Sequence, residues 1–152
     1  MQKILINKKK IKSFNKTIRV SGDKSLSIRW ILIASLASGI SKSKNLLISE
    51  DVLATIQAIK KLGIKIILNN KECKIYGKGL DGYKYRKNIV IDAKNSGTLA
   101  RLLPGLLINS THKIKIIGDE SLSKRDFKRI AEPLNKFGAN LLLKKNNKLP
   151  MI

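Results

Sequence analysis

The fold is decided by the stretch DVLATIQAIKKLGIKIIL at positions 51–68. Its apolar residues recur at the spacing of one helix face: Val52, Ile56, Ile59, Leu62. This pattern predicts a helix from Asp51 to Leu62, and Gly63 can take the left-handed conformation that ends many helices. The apolar run Ile64–Leu68 then predicts a strand, so helix, glycine stop and strand follow one another directly.

The same succession returns later in the chain. A helix predicted from Asp126 to Phe137 is followed by Gly138 and by a strand predicted from Asn140 to Leu143. Each half also begins with a small-residue turn that leads into a helix, first over 22–38 and then over 96–108. Repetition on this scale indicates two copies of one supersecondary unit. We therefore predict an α/β fold built from repeated βαβαββ units.

The remaining elements follow from local signals. The predicted helix 25–37 has few polar residues, and its expected buried face is Leu26, Trp30, Ile33, Ala34, Ala37. Further strands are expected at 46–48, 72–76, 88–92 and 114–117, with a hairpin turn at Asn69-Asn70. No strand is expected after the last turn, at 145–148.

The segment Ser21-Gly22-Asp23-Lys24-Ser25-Leu26-Ser27-Ile28-Arg29 has the composition of an anion site. It places a lysine, hydroxyl groups and an arginine at the start of a predicted helix, where free N–H groups and the helix dipole favour anions. Gly22 would let the backbone come close to a ligand. Arg29 lies four residues after Ser25, on the same helix face. A helix cap with solvated charges would explain this segment equally well.

Two later segments repeat the pattern. Asn95-Ser96-Gly97-Thr98-Leu99-Ala100-Arg101 again joins a small-residue turn to an apolar helix, with an arginine four residues after the turn glycine. A third basic turn, Gly118-Asp119-Glu120-Ser121-Leu122-Ser123-Lys124-Arg125, follows the strand-like run 114–117. Three such turns are harder to attribute to capping than one.

These segments, taken in order, resemble the EPSP synthase family of enolpyruvyl transferases. The family's proline-glycine-aspartate-lysine-serine motif corresponds to Ser21–Ser25, its asparagine-serine-glycine-threonine motif to Asn95–Thr98, and its serine-leucine-x-x-arginine element to Ser121–Arg125. Four family positions differ here: Ser21, Ile28, Lys94, Asp126. Asp126 could pair with Arg125 and weaken its hold on an anion, and Lys94 stands where the family has a glycine.

The resemblance implies an activity and a site. The family transfers the enolpyruvyl group of phosphoenolpyruvate to the 5-hydroxyl of shikimate 3-phosphate and releases phosphate, without a cofactor. By resemblance, Lys24 is catalytic and contacts both substrates, and Ser25 and Arg29 hold shikimate 3-phosphate. The phosphoenolpyruvate pocket would comprise Asn95, Gly97, Thr98 and Arg125. Arg101 is a further candidate, which could instead pair with a nearby acid.

The resemblance also implies that much of the enzyme is absent. Family members fold as two domains made of six βαβαββ units in an inside-out α/β barrel arrangement and are usually monomeric. Residues 1–20 would belong to the other domain, and 21–152 would form a truncated domain of two units, 21–93 and an incomplete 94–152. The family's general-base carboxylate lies beyond residue 152. The isolated chain is therefore expected to be inactive and to need the missing C-terminal part as its partner.

Charge and composition leave two alternatives open. The net charge of +22 would suit a nucleic-acid-binding protein. Against that reading, only six of the 32 basic residues are arginine, aromatic residues make up 5% of the chain, and the lysines are scattered. The other alternative is an anion-binding fragment of a split enzyme. We expect neither a nucleic-acid partner nor a membrane partner.

Cysteine and histidine content bounds the remaining chemistry. A single cysteine, Cys73, cannot form an intramolecular disulfide and fits a reducing cytoplasm, where we expect the protein to reside. It is expected to be a structural residue on a strand. One cysteine and one histidine, His112, cannot build a zinc site, so no metal is expected.

Overall fold

A computed structural model describes residue 13 and residues 15–152. The described chain contains five α-helices: α1 Lys24–Leu36, α2 Glu50–Lys61, α3 Gly97–Leu106, α4 Glu120–Ser123, α5 Lys128–Lys136. It contains seven strands: β1 Ser38–Ser43, β2 Lys65–Asn69, β3 Glu72–Lys78, β4 Ile89–Asp92, β5 Ile114–Ile117, β6 Leu143–Lys144, β7 Lys148–Met151. A short 3-10 helix, Lys145–Asn147, joins the last two strands.

The two sheets show that the internal repeat is real. The first sheet has the strand order β1-β3-β2, and the second has the order β4-β5-β7-β6. In each sheet the last strand in sequence lies between the two preceding strands and is antiparallel to both. The second sheet adds β4, which pairs parallel to β5. The predicted α/β class is confirmed, and the repeat of helix, strand, helix and two strands is visible in the pairing.

Equivalent glycines follow the last helix of each half. Gly63 follows α2 with a φ of 86°, and Gly138 follows α5 with a φ of 93°. Both lie in the left-handed region that glycine adopts without a side-chain clash. The stop signals read from the sequence are therefore confirmed at both positions.

Helix α1 buries only part of the predicted face: Ala34 lies in the core and Trp30 packs against it, as expected. Leu26 and Ile33 are 65% and 69% exposed, whereas Ile28, Ile31 and Leu32 lie in the core. Because α1 is apolar on nearly every side, its periodicity does not specify which side packs. The serines on its buried side are tolerated because their hydroxyls are bonded; that of Ser35 donates to the Leu32 carbonyl at 2.6 Å.

Two predicted strand assignments were wrong. Residues 46–48 form no strand, because their amides bond elsewhere: Leu46 N donates to the Lys71 carbonyl and Leu47 N to Ser27 Oγ. The strand of this region is β1, which starts directly after α1 and turns at Gly39, whose φ is 110°. The expectation that no strand follows the last turn was also wrong, because β7 closes that hairpin.

One core joins both halves. It takes side chains from α1, α2 and α3 and from both sheets, and the structural role expected for Cys73 is confirmed by its complete burial on β3. Burial raises the pKa of the Cys73 thiol, against a weaker lowering by the charge of Lys60. Such a thiol reacts slowly because little of it is ionised.

The proposed division of the chain stays a prediction. Most of segment 1–20, residues 1–12 and 14, lies outside the described residues. The boundary between 21–93 and 94–152 falls after β4, whose sheet partner β5 lies in the second unit. In the described part of the chain, no helix is both long and apolar enough to cross a lipid bilayer.

Candidate active site

Lys24 is the first residue of α1. The Asp23 side chain caps the helix by accepting a hydrogen bond from Leu26 N at 2.7 Å. The Lys24 ammonium lies 3.0 Å from Oδ2 of Asp51, in the first turn of α2. Sequence reasoning missed this carboxylate, although an acidic residue in a first helical turn is a common signal. The site therefore carries its own counter-ion for Lys24.

The other residues of the first motif lie on the same end of α1. Ser25 is half-buried and Arg29 is exposed. The expectation that Gly22 makes room for a ligand was wrong. A β-carbon at Gly22 would lie 2.2 Å from the Asn45 carbonyl oxygen, so this glycine allows close packing against the chain at 45–47.

The second and third motifs form one cluster. The Asn95 side chain donates from Nδ2 to Oδ2 of Asp119 at 2.6 Å, and its Oδ1 accepts from Nη2 of Arg125 at 3.2 Å. The backbone joins the same two turns, because Asp119 N donates to the Lys94 carbonyl at 2.9 Å. The structure thus brings Asn95 and Arg125 together as the sequence predicted. Asp119 was quoted in the motif but not identified as a site residue.

Two guanidinium groups border the space above Gly97. A β-carbon there would lie 2.9 Å from Nη1 of Arg125 and 3.3 Å from Nη1 of Arg101. Gly97 begins α3, whose cap residue Ser96 is fully buried and accepts from Leu99 N at 3.3 Å. A glycine is needed here because any side chain would displace the guanidinium groups. Thr98 is half-buried in the same first turn.

Arg101 packs against a ring instead of pairing with an acid. Its guanidinium lies 5.5 Å from the ring centroid of Phe127, which is fully buried. Its Nε is buried and has no hydrogen-bond partner among the described residues. Burial lowers the pKa of Arg101, and the charges of Arg129 and Arg125 lower it further. An unpaired guanidinium beside a second one is suited to share an anion. In the sequence, the only signal for this contact is the aromatic residue Phe127, two positions after Arg125.

The turn before Asn95 is held by an ion pair. Lys94 has a φ of 52°, a region that side chains rarely adopt. Its N–H donates to Oδ1 of Asp92 at 2.8 Å, and its ammonium lies 2.8 Å from Oδ2 of the same residue. Burial opposes ionisation of Asp92, but the hydrogen bonds and charges of Lys94 and Lys61 outweigh it and lower the pKa of Asp92. Asp92 thus stabilises a turn in which Lys94 replaces the glycine that the family has at this position.

The start of α2 lies between the first motif and the other two. Asp51 pairs with Lys24, while the neighbouring Glu50 lines the same hollow as Asp92 and Lys94 and helps to raise the pKa of Lys94 after the larger effect of Asp92. The first turn of α2 thus contacts the first motif through Asp51 and lies near the turn before Asn95 through Glu50. In the described part of the chain, no hydrogen bond joins Lys24, Ser25 or Arg29 directly to the Asn95–Arg125 cluster.

Asp126 does not form the ion pair with Arg125 that the sequence suggested. Asp126 Oδ1 instead accepts from Lys128 N at 2.6 Å, at the start of α5. The ring of His112 lies edge-on to that of Tyr85, with centroids 6.0 Å apart. Arg125 is consequently free to meet a ligand.

Comparison with known sequences decides the family. A sequence model described as EPSP synthase (3-phosphoshikimate 1-carboxyvinyltransferase) matches residues 8–152. The chain belongs to the EPSP synthase family. The 3-phosphoshikimate 1-carboxyvinyltransferase of Bacillus cytotoxicus is 42% identical over 137 residues, covering 90% of this chain and 32% of the relative. That of a Sulfurihydrogenibium species is 43% identical over 141 residues, covering 93% and 32%.

Solved EPSP synthase structures share the fold. A structure of EPSP synthase from Acinetobacter baumannii superposes with a TM-score of 0.83 at 38% identity, covering 88% of this chain and 31% of that protein. The α/β architecture implied by the resemblance is thereby confirmed over the matched part. The chain spans about a third of the length of the relatives it matches.

Proposed function

We propose that this chain forms the part of a 3-phosphoshikimate 1-carboxyvinyltransferase that holds phosphoenolpyruvate beside shikimate 3-phosphate. The observation that carries the proposal is the convergence of the Arg101 and Arg125 guanidinium groups above Gly97. No carboxylate forms an ion pair with either arginine among the described residues. A multiply charged anion is the ligand that such an arrangement favours.

The roles of the residues follow from the reaction. The 5-hydroxyl of shikimate 3-phosphate loses its proton and adds to C2 of phosphoenolpyruvate while C3 gains a proton, and the tetrahedral intermediate then loses a proton from C3 as it expels phosphate. Both substrates are anions, so cations must offset their repulsion and fix their geometry. We assign Arg125 and Arg101 to phosphoenolpyruvate, with Asn95, Gly97 and Thr98 shaping the pocket. Ser25 and Arg29 are assigned to shikimate 3-phosphate.

Lys24 is proposed to contact both substrates at the reacting centre. Its pairing with Asp51 supports this role, because the ion pair holds the ammonium close to the start of α2 until a substrate anion replaces the carboxylate. Proton transfer in both steps also needs a carboxylate base. That base is expected in the part of the enzyme that this chain does not contain, so the isolated chain should bind substrates without turning them over.

The proposal is tested by binding and by turnover. Titration of the 152-residue chain with phosphoenolpyruvate, followed by calorimetry, should give saturable binding that Arg125→Ala abolishes. A coupled phosphate-release assay on the same chain should show no turnover above background. Robust turnover would disprove the inactivity, and binding unaffected by Arg125→Ala would disprove the site.

A split enzyme is a second candidate, which one observation favours. Helix α1 exposes an apolar strip formed by Leu26 and Ile33, and exposed apolar side chains of this size are expected to be covered by a partner. A second polypeptide that supplies the rest of the enzyme is the partner we propose. Mixing this chain with a fragment of a relative that begins where the matched third ends should restore phosphate release.

The buried, unpaired Cys73 suits a reducing compartment, and we propose the cytoplasm.

The nucleic-acid alternative makes a different prediction. A polyanion-binding protein that uses scattered lysines should bind DNA tightly at low salt and lose that binding steeply as salt rises. Such binding should survive Lys24→Ala, whereas recognition of shikimate 3-phosphate should not.

A further inference from the structure

We propose that Asp119 is a positioning residue: its carboxylate orients the Asn95 amide, and that amide in turn orients the Arg125 guanidinium. The three side chains form one hydrogen-bonded chain, with 2.6 Å between Asp119 Oδ2 and Asn95 Nδ2 and 3.2 Å between Asn95 Oδ1 and Arg125 Nη2. The inference rests on the proposed function of the same site, because it concerns how the phosphoenolpyruvate-binding arginine is held.

The chemistry of the two ends leaves the amide one orientation. An ionised carboxylate only accepts hydrogen bonds, and a guanidinium only donates them. The Asn95 side chain therefore turns its NH2 group to Asp119 and its oxygen to Arg125. The reverse orientation would set acceptor against acceptor and donor against donor.

Asp119 can impose this orientation because it is itself fixed. Its Oδ1 accepts from Leu122 N at 2.7 Å, while its own N–H donates to the Lys94 carbonyl at 2.9 Å. The hydrogen bond from Asn95 is the main cause that lowers the pKa of Asp119, followed by that from Leu122 N. The carboxylate therefore stays ionised and acceptor-only at neutral pH.

The proposal reverses what simple electrostatics predicts. A carboxylate near an anion site repels the anion, so its removal should tighten binding. If Asp119 acts by holding Asn95 and Arg125, its removal should instead weaken binding. The sign of the change in affinity separates the two explanations.

Asp119→Asn isolates the contact. Asparagine caps a helix as well as aspartate does, so the bond from Leu122 N is kept. Its NH2 group, however, faces the NH2 group of Asn95, and the amide loses its partner or flips towards Arg125. Asp119→Ser tests the same contact differently, since serine also caps but is too short to reach Asn95.

Asp126→Asn is the matched control. Asp126 adjoins Arg125 in sequence and accepts from a backbone N–H at 2.6 Å, as Asp119 does, but it has no hydrogen bond to Asn95. The substitution makes the same change of charge beside the same arginine. It should leave affinity unchanged or slightly higher.

The experiment is a titration of the 152-residue chain and these variants with phosphoenolpyruvate, followed by NMR of arginine and asparagine side-chain nitrogens. Without ligand, the Asn95 NH2 resonances should move in Asp119→Asn and stay in place in Asp126→Asn. The dissociation constant reported by Arg125 should rise roughly three- to tenfold in Asp119→Asn and Asp119→Ser.

Three results would overturn the proposal, and they differ from one another. Equal or tighter binding by both Asp119 variants would exclude positioning while leaving the site intact. Unmoved Asn95 resonances in Asp119→Asn would exclude the contact. No response of Arg125 to phosphoenolpyruvate in the unsubstituted chain would overturn the inference together with the proposed function.

Discussion

The ammonium of Lys24 lies 3.0 Å from the carboxylate of Asp51, which joins the start of α1 to the start of α2. The cation assigned to both substrates is thus paired before any substrate arrives. Half of the Lys24 side chain is exposed, so the ion pair is weak enough for an anionic ligand to displace. In the proposed site, the Asp51 carboxylate pairs with the Lys24 ammonium until a substrate anion replaces it.

Asp51→Asn should therefore strengthen anion binding. Removal of the competing carboxylate is expected to lower the dissociation constant for phosphoenolpyruvate by roughly two- to fivefold, the range expected for a partly exposed ion pair. Isothermal calorimetry measures the change. Glu50→Gln, which removes the neighbouring acid of the same helical turn, controls for the helix dipole and should have a smaller effect. Weaker binding by Asp51→Asn would show that Asp51 positions Lys24 productively.

Gly97→Ala should damage the site without unfolding the protein. The new β-carbon would lie 2.9 Å from Nη1 of Arg125, so both guanidinium groups must move. We expect phosphoenolpyruvate affinity to fall about tenfold, which corresponds to about 1.4 kcal/mol. Gly105→Ala, on the same helix with open space around it, should raise stability and leave affinity unchanged. Equal affinities for both variants would contradict the arrangement of Arg101 and Arg125.

Arg101→Met should separate stability from function. It removes a buried nitrogen that has no partner and a positive charge close to Arg125 and Arg129, while methionine can still pack on Phe127. Thermal unfolding should therefore occur at a higher temperature, and phosphoenolpyruvate binding should weaken about tenfold. Arg86→Met, at an exposed loop position, should alter neither quantity. A lower unfolding temperature for Arg101→Met would mean that Arg101 mainly supports the helix.

Stability should fall in acid through Asp92. Because Lys94 and Lys61 hold the pKa of the folded Asp92 carboxyl below its usual value, folding is favoured above the unfolded pKa of about 3.9 and loses this contribution as pH falls through the lower, folded value. Thermal melts between pH 7 and pH 3 should show a steep acid limb that is shallower in Asp92→Asn. Asp81→Asn, in an exposed loop, should keep the limb of the parent chain.

The exposed strip of α1 should cause self-association. Leu26→Gln with Ile33→Gln replaces two apolar side chains that are 65% and 69% exposed and contribute little to the core. Light scattering at increasing concentration should show less association for this double variant than for the parent chain, with similar thermal stability. Unchanged association would mean that another surface mediates self-association, for example the one around the exposed Phe137.

The sequence predicted best those features that depend on local chemistry. Gly63 and Gly138 marked helix ends because glycine enters the left-handed region without a side-chain clash. The buried face of α1 was predicted only in part, because a helix with apolar residues on nearly every side leaves the choice to its tertiary neighbours. Strand β1 was missed because it is mostly polar and its pairing with β3 is long-range.

The same difference between local and long-range information applies to the candidate site. The motifs correctly placed Asn95, Gly97 and Arg125 together, because each motif joins a strand or turn to a helix and the two turns are hydrogen-bonded to each other. The contacts of Lys24 with Asp51 and of Asn95 with Asp119 cross between segments 27 and 24 residues apart. No local pattern encodes such contacts, so only the folded chain shows which acids hold the site.

The central claim is that the three motifs form one site for phosphoenolpyruvate, and a crystal structure of the chain soaked with phosphoenolpyruvate tests it most directly. The account predicts the ligand above Gly97, with anionic oxygens within hydrogen-bonding distance of the Arg125 and Arg101 guanidinium groups and with Lys24 turned away from Asp51. Phosphoenolpyruvate bound elsewhere, or a crystal saturated with it that leaves the space above Gly97 without density, would contradict the account.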